Sequence, residues 1–115
     1  MRLRSLNLEM ILSEYSKEEF KAKLDALTPY VSLEAKHDFI SIKIAISSMF
    51  ETQIYLEDMV RTYYDTQILM ISEFRRISIT SQGEVQKFSL FLSELFIFNQ
   101  QYVKETKLFK LRGAI

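Results

Sequence analysis

The chain has 115 residues, 48% of them apolar, with nine Phe and six Tyr, which is too much hydrophobic surface for a disordered chain and enough for one core. Fifteen basic and fifteen acidic residues cancel, so the basic excess of a typical nucleic-acid binder is missing. Cysteine is absent, which excludes disulfides, thiolate catalysis and Cys-based zinc sites. Two Gly and one Pro are too few for the frequent turns of a sandwich or barrel, so the composition points to an all-α fold.

The N-terminal stretch MRLRSLNLEMILSEY begins with Arg2 and Arg4, but Asn7, Glu9 and Ser13 interrupt its apolar part. No small-residue cleavage site follows, so a signal peptide is not expected. The spacing predicts a helix over residues 3–15, with Leu3, Leu6 and Met10 on one face and Leu8, Ile11, Leu12 and Tyr15 beside it. The alternation at Leu6, Leu8, Met10 and Leu12 leaves a short strand open as the other reading.

SKEEFKAKLDAL is less ambiguous. Ser16 and Glu19 have the spacing of a capping box, and Phe20, Leu24 and Leu27 follow at helical intervals. Thr28-Pro29 ends that helix, because proline disfavours helical geometry in the residue before it. Ser32 is placed to cap the next helix, with Glu34 in its first turn.

From Asp38 to Phe50 the sequence reads DFISIKIAISSMF, with isoleucine at 40, 42, 44 and 46, the alternation of a half-buried strand. A heptad frame with Phe39 at position a explains more. It places Phe39, Ile42, Ile46, Met49, Gln53, Leu56, Val60, Tyr63, Gln67, Met70, Phe74 and Ile77 on one seam, ten of the twelve apolar. The expectation is a helix over roughly 33–78, about 68 Å long if unbroken. It either bends or breaks near RTYYDT (61–66) or forms the spine of an oligomer. Ile40 and Ile44 fall off the seam, and their apolar character predicts a second buried face.

SITSQGE (78–84) is the one clear loop, with Ser81 and Glu84 spaced as a second capping box. Beyond it Val85, Phe88, Leu92, Leu95, Asn99 and Tyr102 line a seam, with Phe91, Phe96 and Phe98 beside it. The run FSLFLSELFIF contains Glu94 and is about half the ~20 residues a bilayer span needs. No membrane span is expected, and a cytoplasmic location is the default. The architecture is a single domain over 1–115: a bundle of three to four helices around one long, coiled-coil-like helix, with 104–115 as a loosely attached basic tail.

Candidate sites are sparse. His37 is the only histidine, three residues after Glu34, the Glu-x-x-His unit of di-iron bundles. Such sites need two units, so an exposed polar pair is the plainer reading and no metal is expected. Pairs such as Glu51–Tyr55 or Glu57–Asp58 fall mostly on the outer face, as solvated carboxylates do. No Gly-rich phosphate loop, nucleophile elbow or histidine triad can be drawn. No catalytic residue, cofactor or small-molecule substrate follows from the sequence, and an enzyme is not expected.

Tyr63 and Tyr64, between Arg61 and Asp65, have the composition of a protein-binding hot spot. Gln53 and Gln67 are the polar positions of the seam, two heptads apart, where a buried amide fixes register against a partner helix. The functional expectation is therefore a non-enzymatic protein–protein interaction module: a small regulator, inhibitor, immunity protein or chaperone. Its partner is another protein or a second copy in a homodimer, met at Gln53, Tyr63, Tyr64 and Gln67. The alternative is a nucleic-acid-associated protein using Lys104, Lys107, Lys110 and Arg112 of the tail, although positive charge there also complements a helix C-terminus. Deleting 104–115 should leave a cooperative thermal melt, since the core inferred from the pattern lies upstream. A broad, non-cooperative transition would place Leu108, Phe109 and Leu111 in that core.

Overall fold

The computed structural model describes residues 3–52 and 64–106, with side chains over 9–48, at 50 and over 66–101. It is all-α. Five α-helices are described: α1 (Leu3–Glu14), α2 (Lys17–Ala26), α3 (Lys36–Thr52), α4 (Tyr64–Thr80) and α5 (Gly83–Thr106). Two 3-10 turns, Thr28–Tyr30 and Leu33–Ala35, join α2 to α3. The N-terminal segment is helical and the strand alternative falls away, with Ile11 and Tyr15 directed into the core and Leu12 left exposed.

The capping box at the start of α2 forms in both directions. Glu19 N–H donates to Ser16 Oγ at 3.1 Å, and Ser16 N–H donates to Glu19 Oε1 at 3.2 Å. Phe20, Leu24 and Leu27 are buried, as their spacing requires. The helix stops at Ala26, and Pro29 sits inside the 3-10 turn that follows. Ser32 does not cap through its hydroxyl. Its backbone N–H donates instead to the Glu73 carboxylate at 2.7 Å, and α3 begins only at Lys36.

Of the two alternatives for 33–78, the unbroken helix is not what the chain forms. In a straight helix Phe39 and Phe74 would be about 52 Å apart. Their rings pack with centroids 6.1 Å apart at 76°. Residues 36–52 and 64–80 therefore belong to two helices packed against each other, and the described residues measure 42 × 28 × 21 Å. The described seam positions nonetheless share the buried face. Phe39, Ile42, Ile46, Gln67, Met70, Phe74 and Ile77 are all buried. A helical period fixes which face is buried, but not whether the helix doubles back to bury it. Leu56, Val60 and the 61–66 break lie wholly or partly outside the described residues.

The central element is α5, 24 residues long and about 36 Å. Phe88 and Phe96 lie two turns apart on it and are fully buried. Phe88 meets Tyr15 and Phe20, each at 5.4 Å in edge-to-face geometry, which attaches the α1–α2 end. Phe96 meets Phe74 at 5.8 Å and, through it, Phe39 of α3.

The pairing of α4 with α5 is the most extensive among the described helices. Small buried side chains, Ser78 on α4 and Ser89 and Ser93 on α5, suit such close approach. Ser78 and Ser93 donate to their own helices, at Arg75 O and Leu90 O, and so behave as small residues. Ser81 and Gln82 alone separate the two helices, and Gly83 takes φ +65°, a conformation that side-chain-bearing residues rarely adopt. The capping box expected from Ser81 and Glu84 is not made. Glu84 reaches away to Lys23 at 3.2 Å, while Gln86 Nε2 donates to Ser78 O and satisfies a carbonyl at the end of α4.

One polar contact fixes the elbow between α2 and α3. Glu73 of α4 accepts from Ser32 N–H and from Arg76 Nε and Nη2, and Arg76 Nη2 also donates to Tyr30 O at 2.9 Å. The Arg76 hydrogen bond holds the Glu73 carboxyl below its ordinary range, with Ser32 assisting against the opposing effect of burial. A depressed folded-state pKa gives stability that is present above the ordinary value of 4.5 and lost as pH falls through the lowered one. Glu73→Gln should therefore cost about 1–2 kcal/mol at neutral pH. In chemical melts the gap to wild type should stay constant down to about pH 5 and close below it. A gap that persists unchanged at pH 2 would show that the charge of Glu73 is not what holds the elbow.

Candidate functional site

Of the four residues expected to meet a partner, Gln53 and Tyr63 lie outside the described residues. Tyr64 opens α4, and its side chain also lies outside them. Gln67 is described, and it is fully buried within the chain's own fold. It faces α5, where Gln100 Nε2 donates to Gln67 Oε1 at 3.5 Å. The amide at a seam position does lie against another helix, but that helix belongs to the same chain.

This end of the α4–α5 pair is polar and under-satisfied. Among the described residues, Gln67 Nε2, Gln100 Oε1 and both side-chain atoms of Asn99 are buried without a hydrogen-bond partner, as is Ser89 Oγ nearer the start of α5. Each such atom costs roughly 1–3 kcal/mol relative to a satisfied one. Asn99 was legible as a polar seam residue. Gln100, one position on, was missed because it lies on the α4-facing side, and only knowledge of the hairpin identifies that side.

Two of the clefts on the described surface bear on the site. One, of about 100 Å³, lies under the Lys23–Glu84 ion pair and is lined by Ala26, Leu27, Val85 and Phe88. Its walls are apolar, and its charged rim is internally paired. The other, of about 250 Å³, lies between the start of α3 and α4, with Glu34, Asp38, Leu69 and Ser72 along it. Glu73 also borders it, but its oxygens already accept from Ser32 and Arg76. Neither cleft sets a nucleophile beside a base.

Glu34 sits in the second 3-10 turn and His37 in the first turn of α3, both exposed. Among the described residues no three side chains of the metal-binding types are grouped to hold an ion. The side chains of Glu51, Tyr55, Glu57 and Asp58 lie outside the described set, as do residues 107–115 of the basic tail. No described helix is long and apolar enough to cross a membrane.

The outward faces of α3 and α4 are the more distinctive surface. Ile40 and Ile44, expected to form a second buried face, are about half exposed. Two residues advance a helix by about 200°, so Ile42 and Ile46 face the core while Ile40 and Ile44 face away from it. Leu33 is 85% exposed at the 3-10 turn that leads into α3. On α4, Ile68 and Leu69 are exposed, and Ile79 is 80% exposed. The chain matches no family model, no curated protein and no solved structure in comparisons with each.

The buried amides generate a test. Gln67→Leu or Gln100→Leu alone strands the remaining amide and should lower stability by about 1–3 kcal/mol. Changing both together removes the polar pair and should raise the melting temperature above either single variant. Additive losses in the double-mutant cycle would mean that the two side chains do not interact.

Proposed function

We propose that the chain is a non-enzymatic interaction module that binds a protein partner through the outward faces of its helices. The observation that carries this reading is the apolar character of two helix faces that the core does not use. Leu33, Ile40 and Ile44 lie on or beside α3, and Ile68, Leu69 and Ile79 lie on α4. Single exposed apolar residues are ordinary on any surface. Ile40 and Ile44 are one turn apart on a helix whose opposite face is already buried, which is the anchor spacing of helix-face recognition. Regulators, inhibitors, immunity proteins and chaperones all act through contacts of this kind, and a second copy of the chain is one possible occupant.

The test uses a variant that spares the core. Because both side chains are exposed, Ile40→Lys with Ile44→Lys should melt within about 0.5 kcal/mol of wild type. The same protein, tagged and exposed to extract from its native host, should lose the proteins that wild type retains. An Ile68→Lys with Ile79→Lys variant tests the α4 face in the same way. Identical retention by wild type and both variants would refute the reading.

A further inference from the structure

The α4–α5 pair has two unlike ends. At the loop end only Ser81 and Gln82 separate the helices, and Gln86 Nε2 donates to Ser78 O at 3.0 Å. Ile77 and Phe88 are buried there. The far end carries Gln67 on α4 and Asn99 and Gln100 on α5, all three buried. Of the five buried side-chain atoms without a hydrogen-bond partner among the described residues, four belong to these amides. The bond that joins two of them, Gln100 Nε2 to Gln67 Oε1, is 3.5 Å long, where such bonds are usually about 3 Å. Between the ends Phe74 and Phe96 pack at 5.8 Å, one turn short of Gln100 and two short of Gln67.

The cost of the unpaired amides falls on the closed form alone. A buried amide without a partner has lost its water and gained nothing, whereas in a parted pair water bonds all of its atoms. Separation at the far end therefore recovers hydration. Separation at the loop end recovers far less, because it exposes Ile77 and Phe88 and breaks the Gln86–Ser78 bond. What the far end gives up is chiefly the burial of Met70, one turn from Gln67, and the Phe74–Phe96 contact blocks the parting from running further.

We propose that α4 and α5 part locally at their amide end, as a built-in opening that stops at the Phe74–Phe96 contact while the rest of the core stays closed. The stranded amides of Gln67, Asn99 and Gln100 set how often it opens. The inference does not depend on the interaction-module reading.

The chain has no cysteine, so one introduced thiol reports opening without background. Met70→Cys places it beside the amides, and Ile77→Cys places it two turns nearer the loop, both at buried positions of α4. Treated with an aromatic disulfide reagent in native buffer, Met70→Cys should react at least ~10-fold faster than Ile77→Cys. Its rate should depend only weakly on denaturant, because a local opening exposes little surface. Adding Gln67→Leu, Asn99→Leu and Gln100→Leu together should slow the Met70→Cys reaction ~10-fold or more, since the open form then gains no amide hydration. Hydrogen exchange on the unaltered chain gives an independent reading and decides alone if a variant does not fold. Backbone N–H groups over 68–71 and 97–101 should exchange together, with the same shallow denaturant dependence, ahead of those over 74–79 and 88–93.

Equal reaction at positions 70 and 77, both with the steep denaturant dependence of global unfolding, overturns the proposal. So does fast reaction at 70 that the three leucines leave unchanged, which is the outcome if ordered water already satisfies the amides. Exchange confined to 97–101, with 68–71 as protected as the middle of α4, reduces the opening to the fraying of one helix end and overturns it too.

Discussion

Phe74 is the side chain on which the arrangement of helices depends. It is fully buried on α4, touches Phe39 of α3 on one side and Phe96 of α5 on the other, and so ties three helices to one point. Truncating a buried Phe in such a position costs about 3–5 kcal/mol, a large part of the stability of a domain this size. The Glu73–Arg76 pair stands one residue away and secures the elbow that leads into α3. Packing from Phe74 and polar contacts from its neighbours therefore act on the same junction. Hydrogen bonds alone would leave α3 free to pivot, and the ring contact alone would leave the elbow's N–H and C=O groups unpaired.

The helical content was legible because it is written locally. Ser16 and Glu19 specify a helix start within four residues, and Phe20, Leu24 and Leu27 specify which face is buried. The phase of the seam was legible too, since Phe39, Ile42, Ile46, Gln67, Met70, Phe74 and Ile77 are all buried. What the pattern does not contain is the return of the chain upon itself. One apolar stripe is equally satisfied by a long partner helix or by other helices of the same chain, and no Gly or Pro lies between Thr52 and Tyr64 to mark a reversal. The weaker capping signals failed for a related reason. Ser32 and Glu84 each had a local partner available, but Glu73 and Lys23, brought in by tertiary packing, hold them instead.

The expected partner-binding residues divide along the same line. Gln67 was singled out because an amide at a seam position is costly and therefore specific, and it does face an amide, that of Gln100. The error concerned ownership of the facing helix. Ile40 and Ile44 were misjudged in the opposite sense, since an apolar residue was taken to imply burial. For both pairs the sequence reports side-chain chemistry faithfully and leaves the identity of the neighbour undetermined. The outward face of α4 was invisible at that level, because it acquires meaning only once the other face of the helix has been assigned to the core.

The split of the four isoleucines between two helix faces bears on aggregation. In an extended chain Ile40, Ile42, Ile44 and Ile46 would all project from the same side, a seven-residue apolar ridge of high β-propensity without Pro or Gly. Helix formation disperses that ridge by turning two of the side chains inward, where Ile42 and Ile46 are buried. The only charge within the segment is Lys43, held at 2.9 Å from Asp25. It serves as the gatekeeper residue that interrupts such runs. Resistance to β-association is thus tied to the seating of α3 on Phe74, and any change that releases α3 also reassembles the ridge.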